Sequence, residues 1–209
     1  MIVKMKAELN SLQPVSNDAK DDIVTGQPYM VCATVVGTAP ILFHRWSVEG
    51  VAEKAAAAKG SKAKKSDNIE SYVYRDESGA IVIPAEYFRM SIIAAAKFKQ
   101  DPRSPRKSAM DLFKAGIATG EEFCSLGKKE WDYIDQRRVM VQRNGITRQR
   151  PAFKTGWTVD VLLLVLLPEY IPPSLLNEVL QSAGRLVGVA DNRPSYGRFQ
   201  VTKFSVVQA

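Results

Sequence analysis

The chain has 209 residues, 45% of them hydrophobic, which predicts one globular domain with a sizeable core. Its formal net charge of +7 favours an anionic partner, such as nucleic acid or an acidic surface. The two cysteines, Cys32 and Cys124, have neither metal-binding nor redox spacing, and both are expected to be buried thiols. No signal-peptide run follows Met1, so we expect a cytoplasmic protein. No zinc spacing or paired carboxylates occur, so we expect neither a metal nor a cofactor.

The first part of the chain predicts an arm, a strand and an apolar turn. Residues 1–27 are polar and contain a cluster of aspartates, and we interpret them as an N-terminal arm that contacts a neighbouring molecule. Residues 29–36 are β-branched and aromatic, which predicts a strand. Residues 41–46 form an apolar turn that carries the only histidine, His44, followed by Arg45.

An insertion is predicted over about residues 47–70. Its alanine-rich part, 48–59, predicts a helix. Residues 60–66 are basic and contain glycine and serine, which predicts an exposed, flexible loop. The lysines of this loop would attract a polyanion without reading its sequence, and they are Lys62, Lys64 and Lys65.

A hairpin and a helix are predicted next. The turn at 76–79 separates two strand-like runs, 71–75 and 80–83. Pro84 then begins a helix with apolar residues at three- and four-residue spacing, which are Tyr87, Phe88, Ile92, Ile93, Ala96 and Phe98. A second insertion, about residues 99–156, starts with a basic, proline-rich linker at 101–107 and a short helix at 109–115.

Residues 137–154 contain six cations and no carboxylate. Two alternating runs, 137–142 and 147–154, flank an Asn-Gly turn at 143–146, which predicts a β-hairpin. Arginines without acidic partners are better explained by phosphate contacts than by a solvated surface hairpin, which is the alternative. The candidate phosphate-binding residues are Arg138, Arg143, Arg148, Arg150 and Lys154. Phe153 offers a stacking surface, whereas Trp157 is expected to pack in the core.

The last third of the chain predicts a strand, a helix, a basic loop and a strand. The apolar run at 159–167 is too short to cross a membrane, and it predicts a strand buried on both faces. Two prolines and an apolar stripe predict a helix at 172–188 that lies on the sheet. The loop at 191–198 precedes a strand at 199–206 and contributes three candidate binding residues, Arg193, Tyr196 and Arg198.

Several segments resemble the RAMP superfamily, the ferredoxin-like proteins of CRISPR effector complexes. Ala80–Arg89 resembles the strand, proline and helix entry of that superfamily. Gly184–Gly188 and Arg193–Phe199 are similar to its C-terminal helix and glycine-containing loop. Ala39–His44 is similar to an apolar turn of bacteriophage-encoded proteins of the same build. The resemblance is closest to subunits that coat guide RNA and to the bacteriophage-encoded proteins, and it covers about residues 29–45, 80–98 and 148–204.

The resemblance implies an α+β fold: a ferredoxin-like (RRM-like) βαββαβ core, here at 28–209, with a β-hairpin thumb and inserted loops. It also implies a basic groove that follows a nucleic-acid backbone. We therefore expect a non-catalytic protein that coats single-stranded RNA or DNA as a filament or ring, with no membrane association, in a bacterial host cell. Two settings are open. One is a CRISPR backbone subunit within a ribonucleoprotein, and the other is a phage single-strand-binding or annealing protein of a recombination complex.

An RNA-processing endonuclease is the alternative function. The resemblance includes relatives that cut RNA with a histidine near the first helix, and His44 lies in roughly that region. A neutral histidine could act as a general base on a 2′-hydroxyl. Phe43 and Trp46 flank His44, however, and no second titratable partner is evident nearby, which favours a packed or phosphate-contacting histidine. No Walker-type loop, nucleophile elbow or zinc spacing occurs, so we expect no enzyme.

Overall fold

The computed structural model describes residues 26–46, 52, 56, 68–141 and 144–207. A short 3₁₀ turn covers Ile69–Tyr72. The strands, in chain order, are β1 (Tyr29–Gly37), β2 (Ile41–Leu42), β3 (Tyr74–Arg75), β4 (Ile81–Pro84), β5 (Gln100–Asp101), β6 (Ser104–Ser108), β7 (Ile117–Thr119), β8 (Phe123–Ser125), β9 (Tyr133–Val141), β10 (Asn144–Phe153), β11 (Thr158–Val165) and β12 (Phe199–Val207). The helices are α1 (Ala85–Ala96), α2 (Met110–Gly116) and α3 (Pro173–Leu186).

The core is a four-stranded antiparallel sheet covered on one face by α1 and α3. Its strand order is β12-β1-β11-β7. Helix α1 lies in the chain between β1 and β7, and α3 lies between β11 and β12, which gives the βαββαβ sequence of elements. The outer strands of the sheet are therefore the last and the second of the repeat. The predicted ferredoxin-like α+β fold is confirmed.

Alternation along the central strands defines the two faces of the sheet. On β1, Val31, Ala33 and Val35 are fully buried beneath the helices. Their neighbours on the opposite face, such as Cys32 opposite Leu162, are only half-buried. The predictions that β11 is buried on both faces and that Cys32 is buried are wrong, because the helices cover one face only. Cys124, on β8, is buried as predicted.

The helices begin where the sequence predicts and bury the expected stripe. Pro84 directly precedes α1, and Phe88 of that helix packs edge-on against Phe199 with ring centroids 5.7 Å apart. Trp157 is buried, and its indole Nε1 donates a hydrogen bond to the Ala39 carbonyl at 2.9 Å. Phe98 does not face the core as predicted, because α1 ends at Ala96 and the following turn carries it to the surface.

Smaller sheets accompany this core. The described sheets are β2-β10-β9, β3-β4-β8 and β5-β6. The β5-β6 hairpin lies where a linker was predicted. The sequence did not indicate it, because β6 is mostly exposed and has no alternation of apolar residues. Most of the predicted arm and of the predicted helix at 48–59 lies outside the described residues, although Ala52 and Ala56 are helical. Within the described residues, no helix has the length and apolarity to span a membrane.

A close approach between α3 and β12 gives a test of this packing. A Cβ atom on Gly184 would lie 2.2 Å from the carbonyl oxygen of Phe199, which is backbone and has little room to move. Gly184→Ala should therefore lower the free energy of unfolding by about 1–3 kcal/mol, as overpacked cores do. Urea unfolding measures this change. The control Gln181→Ala, at an exposed position of the same helix, should change stability by less than about 0.5 kcal/mol. Unchanged or increased stability of the Gly184 variant would contradict this account of the contact.

Candidate nucleic-acid interface

The long hairpin β9–β10, here called the thumb hairpin, sorts the predicted cations by face. Arg148 lies directly opposite Arg137, and Arg150 lies opposite Asp135. Since side chains opposite each other share a face, these four residues form one surface, here called the arginine face. Arg138 follows Arg137 directly and points to the other side of the hairpin. The sequence grouped these arginines together, but the strand alternation separates Arg138 from the rest.

The turn of the thumb hairpin lies two positions earlier than predicted. Asn144 pairs with Val141, so Asn144 and Gly145 belong to β10 and not to the connection. The antiparallel pairing along the whole hairpin sets this register, and it overrides the local preference of Asn-Gly for the turn centre. The predicted site residue Arg143 lies outside the described residues.

Arg150 is buried and paired with a carboxylate. It is only 8% exposed, and its Nε lies 2.6 Å from Oδ2 of Asp191. Arg137 likewise has a carboxylate partner, since its Nε donates to Oδ1 of Asp135 at 2.8 Å. The sequence prediction that the hairpin arginines lack acidic partners is wrong for these two, because one partner lies just before the predicted hairpin and the other lies far along the chain.

The loop at 187–198, here called the C-terminal loop, brings Asp191 to the thumb hairpin. The backbone N–H of Asp191 donates to the Leu42 carbonyl at 3.1 Å, and that of Gly197 donates to the Pro40 carbonyl at 2.8 Å. Gly197 has φ +70°, and a Cβ there would lie 1.8 Å from the Val189 carbonyl oxygen. The loop therefore needs glycine at this position to fold back on itself and reach the β1–β2 connection.

Arg148 is held by His44. Its Nη1 lies 2.6 Å from Nε2 of His44, and the imidazole ring packs against Tyr72 with centroids 4.5 Å apart. A guanidinium can only donate, so Nε2 acts as the acceptor, and the ring is the neutral tautomer with its proton on Nδ1. Both side chains are half-buried. His44 therefore orients Arg148, whose remaining N–H groups provide further donors.

The other predicted cations differ in their surroundings. Arg45 is exposed and lies over the ring of Tyr74, with its Cζ 4.8 Å from the centroid. Arg193 and Arg198 are exposed on the C-terminal loop. Lys154 is exposed at the end of β10, beside Asp132, which accepts a hydrogen bond from its backbone N–H at 2.8 Å. The predicted residues Lys62, Lys64 and Lys65 lie outside the described residues.

The aromatic residues of the surface are mostly not those that the sequence indicated. Tyr196 is half-buried, and the Arg137 guanidinium lies 4.8 Å from its ring centroid, so this arginine occupies one face of the ring. Phe153 is fully buried and offers no stacking surface. Tyr74 and Tyr87 join the site instead. The sequence did not indicate that these two tyrosines lie near the candidate site. One is in a predicted strand and the other on a predicted helix, and only the fold brings the two elements together.

Tyr87 links α1 to the C-terminal loop. Burial raises the pKa of its phenol well above the ordinary value, and a hydrogen bond with Tyr74 raises it further. The charges of Asp191 and Arg193 also act on this phenol, which places the loop close to the helix. Tyr87 therefore stays protonated and neutral across physiological pH.

Among the described residues, no group of three His, Cys, Asp or Glu side chains could hold a metal ion.

The comparisons with known proteins support the fold. No protein-family model matches the chain, and its sequence matches no curated protein. The structure is similar to a chain in a cryo-EM structure of type III-B Cmr-beta bound to cognate target RNA, with a TM-score of 0.55 and 11% sequence identity. The match covers 99% of this chain but only 65% of the other, so this chain spans about two thirds of that chain's length. The resemblance to bacteriophage proteins stays a prediction.

The Arg150–Asp191 pair can be tested by a double-mutant cycle. Asp191→Ala leaves the buried Arg150 guanidinium without its partner, and Arg150→Ala leaves the half-buried Asp191 carboxylate without its partner, whereas the double variant removes both charges. We expect a coupling free energy of about 1–3 kcal/mol from urea unfolding of the four proteins. The exposed pair of Lys99 and Glu178 is the control, and its coupling should be about 0.2–1 kcal/mol. Equal coupling in the two cycles would show that the loop contact does not fasten the thumb hairpin.

Proposed function

We propose that this protein binds the sugar-phosphate backbone of single-stranded nucleic acid, RNA in particular, along the arginine face and the C-terminal loop. The observation that carries the proposal is the position of Arg148, which is half-exposed and fixed by His44. Two further exposed arginines come from other segments of the chain. Arg45 directly follows His44, and Arg193 lies on the loop that Asp191 fastens to the hairpin.

The arrangement suits phosphate better than it suits a small neutral ligand. Guanidinium groups match the geometry of phosphate oxygens and remain charged at physiological pH. Arg148 and Arg45 are also held in place, by His44 and by the Tyr74 ring respectively, so less side-chain entropy is lost when a ligand binds. Contacts of this kind position a strand without reading its sequence. The protein would therefore bind many sequences with similar affinity.

The choice of RNA and the proposal of a multimeric coat rest on the fold. The similar chain comes from a structure of type III-B Cmr-beta bound to cognate target RNA, which supports an RNA partner and a setting among other subunits. A single domain of this size offers a groove of only a few nucleotides. Copies bound side by side would bind a long strand more tightly through cooperativity, which is common among proteins that bind single strands.

We further propose that the protein does not cleave its ligand. A general base needs an unshared electron pair directed at the proton that it removes. Nε2 of His44 is within 2.6 Å of Arg148 and receives that donor, so this nitrogen serves in positioning the arginine. The endonuclease alternative would require this contact to break before the reaction.

Replacing the two positioned arginines tests the interface. Arg45→Ala/Arg148→Ala should weaken binding to all single-stranded sequences alike, because only phosphate contacts are lost. The slope of log K against log salt should become shallower by roughly 0.7 for each lost contact. Fluorescence anisotropy of labelled oligonucleotides over a salt series measures both effects. The matched control is Arg106→Ala/Lys107→Ala, which removes two exposed cations of β6 and should leave the slope unchanged. An unchanged slope in the folded Arg45/Arg148 variant would place the groove elsewhere.

Incubation with RNA tests the absence of cleavage. The wild-type protein should leave end-labelled single-stranded RNA intact, without or with added divalent metal, because His44 is engaged by Arg148. Denaturing gel electrophoresis measures the length of the product. His44→Ala is the matched variant, and it should also leave the RNA intact. Cleavage by the wild type that is lost in this variant would establish the endonuclease in place of the non-catalytic binder.

A further inference from the structure

A cleft of about 490 Å³ lies outside the arginine face, between α1, the end of α3 and the C-terminal loop. Its walls combine apolar, aromatic and charged groups from these three elements. The residues that matter here are Lys97, Phe98, Leu186, Asn192 and Arg193. The volume is large enough for one nucleobase with its sugar, and the pocket range for small ligands begins at roughly 300 Å³.

Phe98 is the notable residue of the cleft. Its side chain is 58% exposed, although phenylalanine is among the residues most often buried. The Nζ of Lys97 lies 4.7 Å from the Phe98 ring centroid, and Leu186 is 43% exposed on the facing helix. Lys97 therefore lies over one face of the Phe98 ring, and a base would stack on the opposite face. Proteins that bind single strands combine exposed aromatic rings of this kind with neighbouring cations.

We propose that this cleft binds one unstacked base of the single strand, with the base stacked on Phe98 and the adjoining phosphate near Lys97 and Arg193. This inference rests on the proposed function and adds a second subsite to it. Arg193 belongs both to the cleft and to the positive surface of the C-terminal loop, so one strand can pass from the arginine face into the cleft. The amide of Asn192, which is exposed in the cleft, supplies a donor and an acceptor for the edge of the base.

The charges of the cleft favour a nucleotide over an apolar protein segment. Asp191 lines the same cleft, and its carboxylate would repel a phosphate if it were unpaired. Its Oδ2 lies 2.6 Å from Arg150, however, and this ion pair offsets its charge. Lys97 and Arg193 therefore leave the cleft with a positive character. A purely apolar partner would gain nothing from these two cations and would remove them from water.

Photo-crosslinking and affinity together test the subsite. The probe is a short oligouridylate with one 5-iodouridine, irradiated on the full chain, and the crosslinked peptide should contain Phe98. Phe98→Ala should weaken binding of the same oligonucleotide by roughly five- to one-hundred-fold, the loss of one stacked base. Its salt slope should stay unchanged, because no phosphate contact is removed. Phe98→Tyr keeps the aromatic ring and should retain the affinity. Met90→Ala removes an exposed side chain of α1 outside the cleft and should have no effect.

The outcomes separate this inference from the proposed function. Binding by the wild type with unchanged affinity in Phe98→Ala, and no crosslink at Phe98, would overturn the subsite and leave the proposed function standing. No binding of the oligouridylate by the wild type would overturn both. If Phe98→Ala lowers only the self-association of the protein, measured by analytical ultracentrifugation, the cleft is a protein interface and the subsite is overturned.

Discussion

The contact between Arg150 and Asp191 is the constraint on which the arrangement of the candidate interface depends. It joins the thumb hairpin to the C-terminal loop, two segments that belong to different parts of the βαββαβ repeat. The carboxylate is carried there by backbone hydrogen bonds from the loop to the β1–β2 connection. A charged group shielded from water is costly without its partner. The pair therefore stabilises the position of the loop against the hairpin.

The same contact divides the arginines into two kinds. Arg150 pairs with Asp191 and joins the hairpin to the loop. Arg148, two residues earlier on the same strand, is half-exposed and is oriented by His44. Arg137 takes an intermediate role, since it pairs with Asp135 and also covers the Tyr196 ring. The candidate surface is thus built from side chains that already have partners in the folded protein. Rigid phosphate-binding groups bind more tightly than flexible ones of the same charge, because less conformational freedom is lost.

Much of the core could be predicted from the sequence because its signals are local. The alternation of β1, the proline before α1 and the apolar stripe of α3 each lie within a single element, and each element formed where it was expected. The predictions of burial that failed depended on which other elements pack over a strand. Cys32 was expected to be buried, but whether a sheet has one or two covered faces is decided by the number of helices around it.

The sequence by itself determined several strands and helices, the existence of a basic hairpin and the basic character of the C-terminal loop, because spacing and composition record these directly. The ferredoxin-like fold class was implied by the resemblance of particular segments. Only the tertiary structure decided which arginine is accessible. Arg148 and Arg150 are alike in sequence context, and their roles differ because His44 meets one and Asp191 the other. Both partners are distant in the chain. Pairing over such distances is fixed by the packing of the whole domain and leaves no local pattern to read.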